Sequence, residues 1–239
     1  MSVPRKLRIL CLHGMVQNAT VFRKKTAVIR KKLDAIAELV YVTAPHLIVD
    51  PRYTSEAMRE AAADANAPEE SKPFGWWQPT SDNVLTPDGY YQGFKESLQH
   101  VKNILIKDGP FDAIFGFSQG ACLAAIVTEL LENKAVMPEL MSPDFAHPPF
   151  RFAIICAGFK PLTQEATQKV FSEKIKTPSL HMLGEQDTLI TPERAILLAE
   201  AFENPAILKH AGGHVVPSNA PSRNELVAFV SKFTPTSSN

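Results

Sequence analysis

Phe115-Gly116-Phe117-Ser118-Gln119-Gly120-Ala121 joins an apolar run to an amphipathic one, and the fold is read outward from that junction. Upstream, Phe111 to Phe117 carries Phe, Ile and Ala without strict alternation, as a strand buried on both faces does. Downstream, Cys122, Leu123, Ile126, Val127, Leu130 and Leu131 fall one turn apart on a single stripe, and Ala121, Ala124 and Ala125 let a helix approach a sheet closely. Five further runs have the same buried-strand character: Leu7 to Leu12, Glu38 to Thr43, Phe152 to Cys156, Ser179 to Leu183 and Ala206 to His210. Amphipathic stretches separate them. The expectation is an α/β fold with a mainly parallel six-stranded sheet and helices on both faces.

Local signals place more of the helices. Thr191-Pro192-Glu193 reads as an N-cap, a proline at the first helical position and an acid in the first turn, so a helix runs to about Phe202. The last helix carries Leu226, Val227, Phe229, Val230 and Phe233, and Thr234 to Asn239 reads as frayed. Arg23-Lys24-Lys25 and Arg30-Lys31-Lys32 repeat on what reads as one helix, either as a solvated face or as a patch for an anionic membrane or acidic carrier. Two segments break the rhythm. Residues 50–89 are too long for a strand-to-helix loop and hold an Ala/Glu-rich patch (Ser55 to Ala67), Trp76-Trp77 and a Thr86-Pro87-Asp88-Gly89 turn. Residues 135–150 hold Pro138, Pro143, Pro148 and Pro149, which excludes a helix. Neither resembles a linker, so residues 1–239 read as one domain with loop insertions that serve as functional loops or lids.

Composition narrows the function. The 239 residues carry 25 Lys+Arg against 25 Asp+Glu, a neutral balance that argues against nucleic acid as a partner. No apolar run approaches the ~20 residues of a membrane span, and no secretory h-region opens the chain, so a cytoplasmic location is expected. Cys11, Cys122 and Cys156 each lie in an apolar stretch without metal-binding spacing, and read as buried reduced thiols.

The junction also carries chemistry. A serine hydroxyl attacks a carbonyl only beside a base and beside donors for the developing oxyanion. A sharp strand-to-helix bend exposes it, and the close approach of neighbouring backbones requires small residues such as Gly116 and Gly120. The bland alternative is a glycine-bordered turn with a solvated serine. For the base, His214 sits in Ala211-Gly212-Gly213-His214, a loop after the sixth strand, where a parallel sheet places its site. His210 is the rival at the strand end, while His46, His100, His147 and His181 read as surface or core imidazoles. The carboxylate is Asp187, after the fifth strand, with Glu185 competing. The order Ser118, Asp187, His214 is that of the α/β-hydrolase arrangement. In it, the oxyanion donors are the amide of Gln119 and one from the loop His13-Gly14-Met15, here the amide of Met15.

Several motifs together carry a family resemblance. They are His13-Gly14 with Gln17-Asn18, Gly75-Trp76-Trp77, Tyr91-x-Gly93 with Ser97-Leu98, Gly116 to Ala121, Gly184-x-x-Asp187 and Gly212-Gly213-His214-x-x-Pro217. From about residue 5 to 233 the chain resembles the serine hydrolase family widespread in fungi, which has polyketide-releasing thioesterase cousins. The resemblance implies an α/β-hydrolase sheet without an antiparallel N-terminal hairpin. It also implies triad roles for Ser118, Asp187 and His214, and ester or thioester hydrolysis without a cofactor or metal. Met15-Val16 departs from the aromatic or longer apolar residue often found after His-Gly.

The leading expectation is a carboxylesterase acting on a small-molecule ester through an acyl-enzyme on Ser118. A thioesterase for acyl-CoA or carrier-bound chains is the alternative within the class, and an idle small-molecule-binding protein the alternative outside it. Trp76 and Trp77 are candidates for the acyl pocket or, equally, for loop anchors.

Overall fold

The computed structural model describes residues 5–79, 86, 90–160 and 164–234. Pro87 to Gly89 of the expected turn, and the chain from Pro235, fall outside them.

Six strands form one sheet: β1 (Leu7–Leu12), β2 (Ala37–Val42), β5 (Ala113–Phe117), β6 (Phe152–Cys156), β7 (Ser179–Gly184) and β8 (Ala206–His210), in the order β2-β1-β5-β6-β7-β8. Every pairing is parallel, with Ile9 opposite Ala113, Phe117 opposite Cys156 and Gly184 opposite His210 among the registers. Side chains alternate between two cores, as a pleated strand requires. Leu7, Ile9 and Cys11 join a cluster with Phe22, Ile29, Leu226 and Phe229, whereas Leu10 and Leu12 face Leu98, Val101 and Leu123 on the other side. The first cluster is covered by α1 (Ala19–Lys25), α2 (Ala27–Leu33) and α8 (Ala220–Ser231), the second by α4 (Phe94–Asp108) and α5 (Gln119–Glu132). Chain order reverses between β1 and β5, so the crevice of this sheet opens at their carboxyl ends, beside His13 and Ser118.

Three local expectations need correction. The two basic triplets lie on separate seven-residue helices, because Thr26 leaves helical geometry (φ −97°, ψ 11°) and its hydroxyl donates to the Phe22 carbonyl at 2.8 Å. After α6 (Gln164–Val170), the helix opened by Thr191 is α7 (Pro192–Ala199), and Thr191 stands at the N-cap without a side-chain capping bond. Helix α5 is buried from Gln119 to Leu131 rather than along one stripe. Met137, Leu140, Met141, Phe145 and Phe150 of the 135–150 segment share its apolar cluster. That segment is a cover, with no residue in the cleft described below. Each such side chain contributes about 1.5–3 kcal/mol by leaving water, which explains why a proline-rich excursion stays ordered without a helix.

The 50–89 segment includes α3 (Glu56–Ala63), capped by Ser55, and a short antiparallel pair, β3 (His46–Leu47) with β4 (Phe74–Gly75). Phe74 also bridges to Gln17, which brings Trp76 and Trp77 alongside the loop after β1. Among the described residues, no helix is long and apolar enough to cross a membrane.

Candidate active site

Ser118 stands between β5 and α5 with φ +53° and ψ −119°, a conformation that costs a non-glycine residue on the order of 1–3 kcal/mol. The surrounding packing enforces it. A Cβ on Gly116 would lie 2.4 Å from the Gly120 carbonyl oxygen, and one on Gly120 would lie 2.4 Å from the carbonyl oxygens of Leu12 and His13. Both glycines are therefore steric requirements of a turn pressed against β1. The Ser118 amide donates to Cys156 O at 2.9 Å, which ties the turn to β6 as well.

His214 reaches Ser118 from the loop after β8, with Nε2 2.9 Å from Ser118 Oγ. Its Nδ1 lies 2.7 Å from Asp187 Oδ2. An ionised carboxylate only accepts, so Nδ1 carries the proton and Nε2 turns its lone pair to the hydroxyl. Asp187 is held in turn. Its Oδ1 accepts from the amides of Leu189 and Ile190, both at 2.9 Å, and the side chain is 1 % exposed. The rivals lie elsewhere: Glu185 is exposed, and His210 is buried at the end of β8, where its Nδ1 accepts from the Gly212 amide.

Gln119, at the start of α5, and Met15, in the loop after β1, line the same cleft as Ser118. Neither backbone amide has a hydrogen-bond partner among the described residues. His13 shapes the second loop from a fully buried position, donating from Nδ1 to Gly14 O at 2.7 Å and accepting the Ala44 amide at Nε2 at 2.9 Å. Burial pushes its pKa down to about 4, so this imidazole is a neutral structural post. Val16, next in the loop, has φ +56°, an outlier for a β-branched residue.

The two tryptophans part company. Trp76 is 0 % exposed and its indole donates to His13 O at 2.8 Å, so it anchors the loop and does not line the cleft, correcting the acyl-pocket reading for that residue. Trp77 does line the cleft, stacked on Tyr91 at 5.3 Å. The Gln119 side chain secures both. Its Oε1 accepts the Trp76 amide at 2.7 Å and its Nε2 donates to Trp77 O at 2.9 Å, a clamp that sequence reasoning did not foresee.

The cleft above Ser118 has a volume of about 560 Å³, within the range of small-molecule sites. Tyr53, Phe159, Leu189, Ile190, Lys25 and Arg194 line it along with the residues already named. None of these six was singled out as substrate-lining from the sequence, since each reaches the cleft through tertiary packing; only Lys25 stood inside a conspicuous motif. Among the described residues, no group of three His, Cys, Asp or Glu could hold a metal ion. The three cysteines are buried free thiols.

A parallel α/β sheet with a strained serine at its crevice, hydrogen-bonded to a histidine and through it to a carboxylate, defines the α/β-hydrolase class. Within that class, the chain belongs to the serine hydrolase (FSH1) family, whose model matches residues 1–226. It is 35% identical over 237 residues to the esterase OVCA2 of Homo sapiens, spanning 98% of this chain and 99% of that one. It is 37% identical over 233 residues to the esterase OVCA2 of Xenopus tropicalis, spanning 96% and 94%. Among solved structures, acyl-protein thioesterase 2 of Zea mays superposes with a TM-score of 0.59 over 96% of this chain and 94% of that one, at 17% identity, which is a likeness of fold. The chain is accordingly a hydrolase.

Proposed function

We propose that the protein hydrolyses carboxylic esters through an acyl-enzyme on Ser118, with residues 1–239 acting as one domain whose loops build the cleft. His214 Nε2 takes the Ser118 proton as Oγ attacks the ester carbonyl. The amides of Met15 and Gln119 hold the oxyanion, and Asp187 stabilises the imidazolium. His214 then returns the proton to the departing alkoxide. Water, deprotonated by the same nitrogen, releases the acid. The observation that supports this reading most is the 2.9 Å approach of His214 Nε2 to Ser118 Oγ beside two unengaged amides. Trp77 serves as an acyl-facing wall. The relatives at 35–37% identity carry the name esterase, which favours an ester over a thioester as the bond cut.

A chain-length series of nitrophenyl esters measured beside acyl-CoA thioesters tests the assignment. Turnover of the esters, with acyl-CoA slower at matched chain length, is expected. Turnover of acyl-CoA alone moves the reading to a thioesterase, and turnover of neither in the folded protein leaves only a binding role.

A further inference from the structure

The cleft has a sign. The chain is neutral overall, with 25 basic and 25 acidic residues, yet the charged side chains lining the 560 Å³ cleft are Lys25 and Arg194. Among the described residues no carboxylate lines it; Asp187 is screened behind His214. Both cations are left over once the protein's own pairs are made. In the triplet Arg23-Lys24-Lys25, Arg23 lies over the Tyr41 ring and Lys24 pairs with Glu70 at 2.5 Å, whereas Lys25 makes no ion pair with a described carboxylate. Arg194 is half-buried and pre-positioned. One of its nitrogens donates to Leu189 O at 3.1 Å and its guanidinium lies 5.2 Å from the centre of the Phe159 ring, again with no described carboxylate partner.

A guanidinium fixed by one carbonyl and one ring keeps further N–H donors directed outward, which suits a planar anion. Two like charges facing a low-dielectric hollow also raise the local concentration of anionic solutes. We infer that the substrate is an amphipathic ester or thioester bearing a carboxylate or phosphate, whose apolar part lies against Trp77, Tyr91 and Phe159 and whose anion is received by Arg194 and Lys25. This rests on the hydrolase reading above and adds the charge of the substrate to it. The anion belongs either to the acyl part, as in the half-ester of a dicarboxylic acid, or to the leaving group, as in coenzyme A.

Two matched pairs separate these sources. Mono-nitrophenyl glutarate against nitrophenyl pentanoate places the charge on the acyl side. Butyryl-CoA against butyryl-N-acetylcysteamine places it on the leaving group. In at least one pair, kcat/KM for the anionic member is expected to exceed the neutral one by roughly tenfold or more, the scale of one charge-assisted hydrogen bond. The ratio should fall toward unity in Arg194→Gln and in Lys25→Gln, mainly through KM, and should shrink between low and high salt. Equal or faster turnover of the neutral member in both pairs overturns the inference and leaves the hydrolase reading standing. A ratio that survives in both variants does the same. Absence of turnover on all four substrates, in a protein whose Ser118 no fluorophosphonate labels, removes both.

Discussion

Ser118 and His214 are 96 residues apart in the chain and 2.9 Å apart in space, joined at the carboxyl edge of one parallel sheet. The contact depends on β5 and β8 holding their places in the strand order, three positions apart, while the loop after β8 folds back over the crevice. Removing the hydroxyl leaves the cleft and the proposed oxyanion donors, the amides of Met15 and Gln119, in place. Ser118→Ala should therefore lower kcat/KM for a nitrophenyl ester by on the order of 10⁴-fold or more, with residual activity above that of water. Initial rates on both proteins under the same conditions measure it.

Asp187→Asn probes the tautomer. The amide can keep accepting from Leu189 and Ile190 through its oxygen, which turns its NH₂ toward His214 Nδ1. The imidazole then accepts at Nδ1 and carries its proton on Nε2, where it cannot take one from Ser118. A loss of roughly 10⁴-fold in kcat with little change in thermal stability is expected. Retention of more than a tenth of the wild-type rate contradicts that arrangement.

Gln119 divides its work between backbone and side chain. Gln119→Ala keeps the amide proposed to hold the oxyanion but strands the Trp76 amide and the Trp77 carbonyl, at a cost of about 2–5 kcal/mol in total. Urea unfolding should register that loss. Kinetics should show a raised KM as the Trp77 wall loosens, with kcat changed less.

Gly120→Ala tests the turn itself. The added methyl would meet two backbone carbonyls of β1 and its loop at 2.4 Å, and neither can move without breaking the sheet. A destabilisation of about 3 kcal/mol or more is expected, with activity falling alongside.

Acid should weaken the fold in a defined window. Burial lowers the pKa of His13 to about 4 and of His181 to about 3, and lowers those of His147 and His210 as well, so between pH 6.5 and about 4 the unfolded chain binds protons at these histidines that the folded one resists. Burial, with repulsion from Glu132 and Glu173, raises Glu129 to about 7. There the folded state holds a proton that the unfolded state releases above its usual 4.5. The four histidines outnumber the one glutamate, and His13 and His181 alone leave the unfolded state at least one proton richer from pH 4.5 to 6.5, so stability should fall by at least about 1.4 kcal/mol per pH unit on acidification. Glu129→Gln removes the opposing group and should steepen the slope. Urea titrations at several pH values check both, and a stability that rises on acidification contradicts the assignment.

Much of this molecule is legible in its order of residues, for a physical reason. A strand buried on both faces writes itself as an unbroken apolar run, so Leu7–Leu12, Phe152–Cys156 and Ala206–His210 are read with the bounds they have in the structure. The strand-turn-helix around Ser118 is equally local, since its glycines answer to contacts within a few ångströms. Side-chain direction in irregular segments is not local. Trp76 and Trp77 are adjacent and chemically alike, yet in the bend that follows β4 one turns into the core and the other to the cleft. Arg194 sits in a helix whose cap and proline already account for its sequence, and only the fold reveals the Phe159 ring and Leu189 carbonyl that orient it. A basic triplet repeated after seven residues suggested one helix, but a single threonine hydroxyl bonding back to Phe22 divides it.

The most direct measurement of the central claim is intact-protein and peptide mass spectrometry after treatment with a fluorophosphonate. One adduct per chain, on the peptide containing Ser118 and absent from Ser118→Ala, is the predicted result, with labelling slowed by orders of magnitude in His214→Ala. An adduct on another residue, or equal labelling of the Ser118→Ala protein, would contradict it.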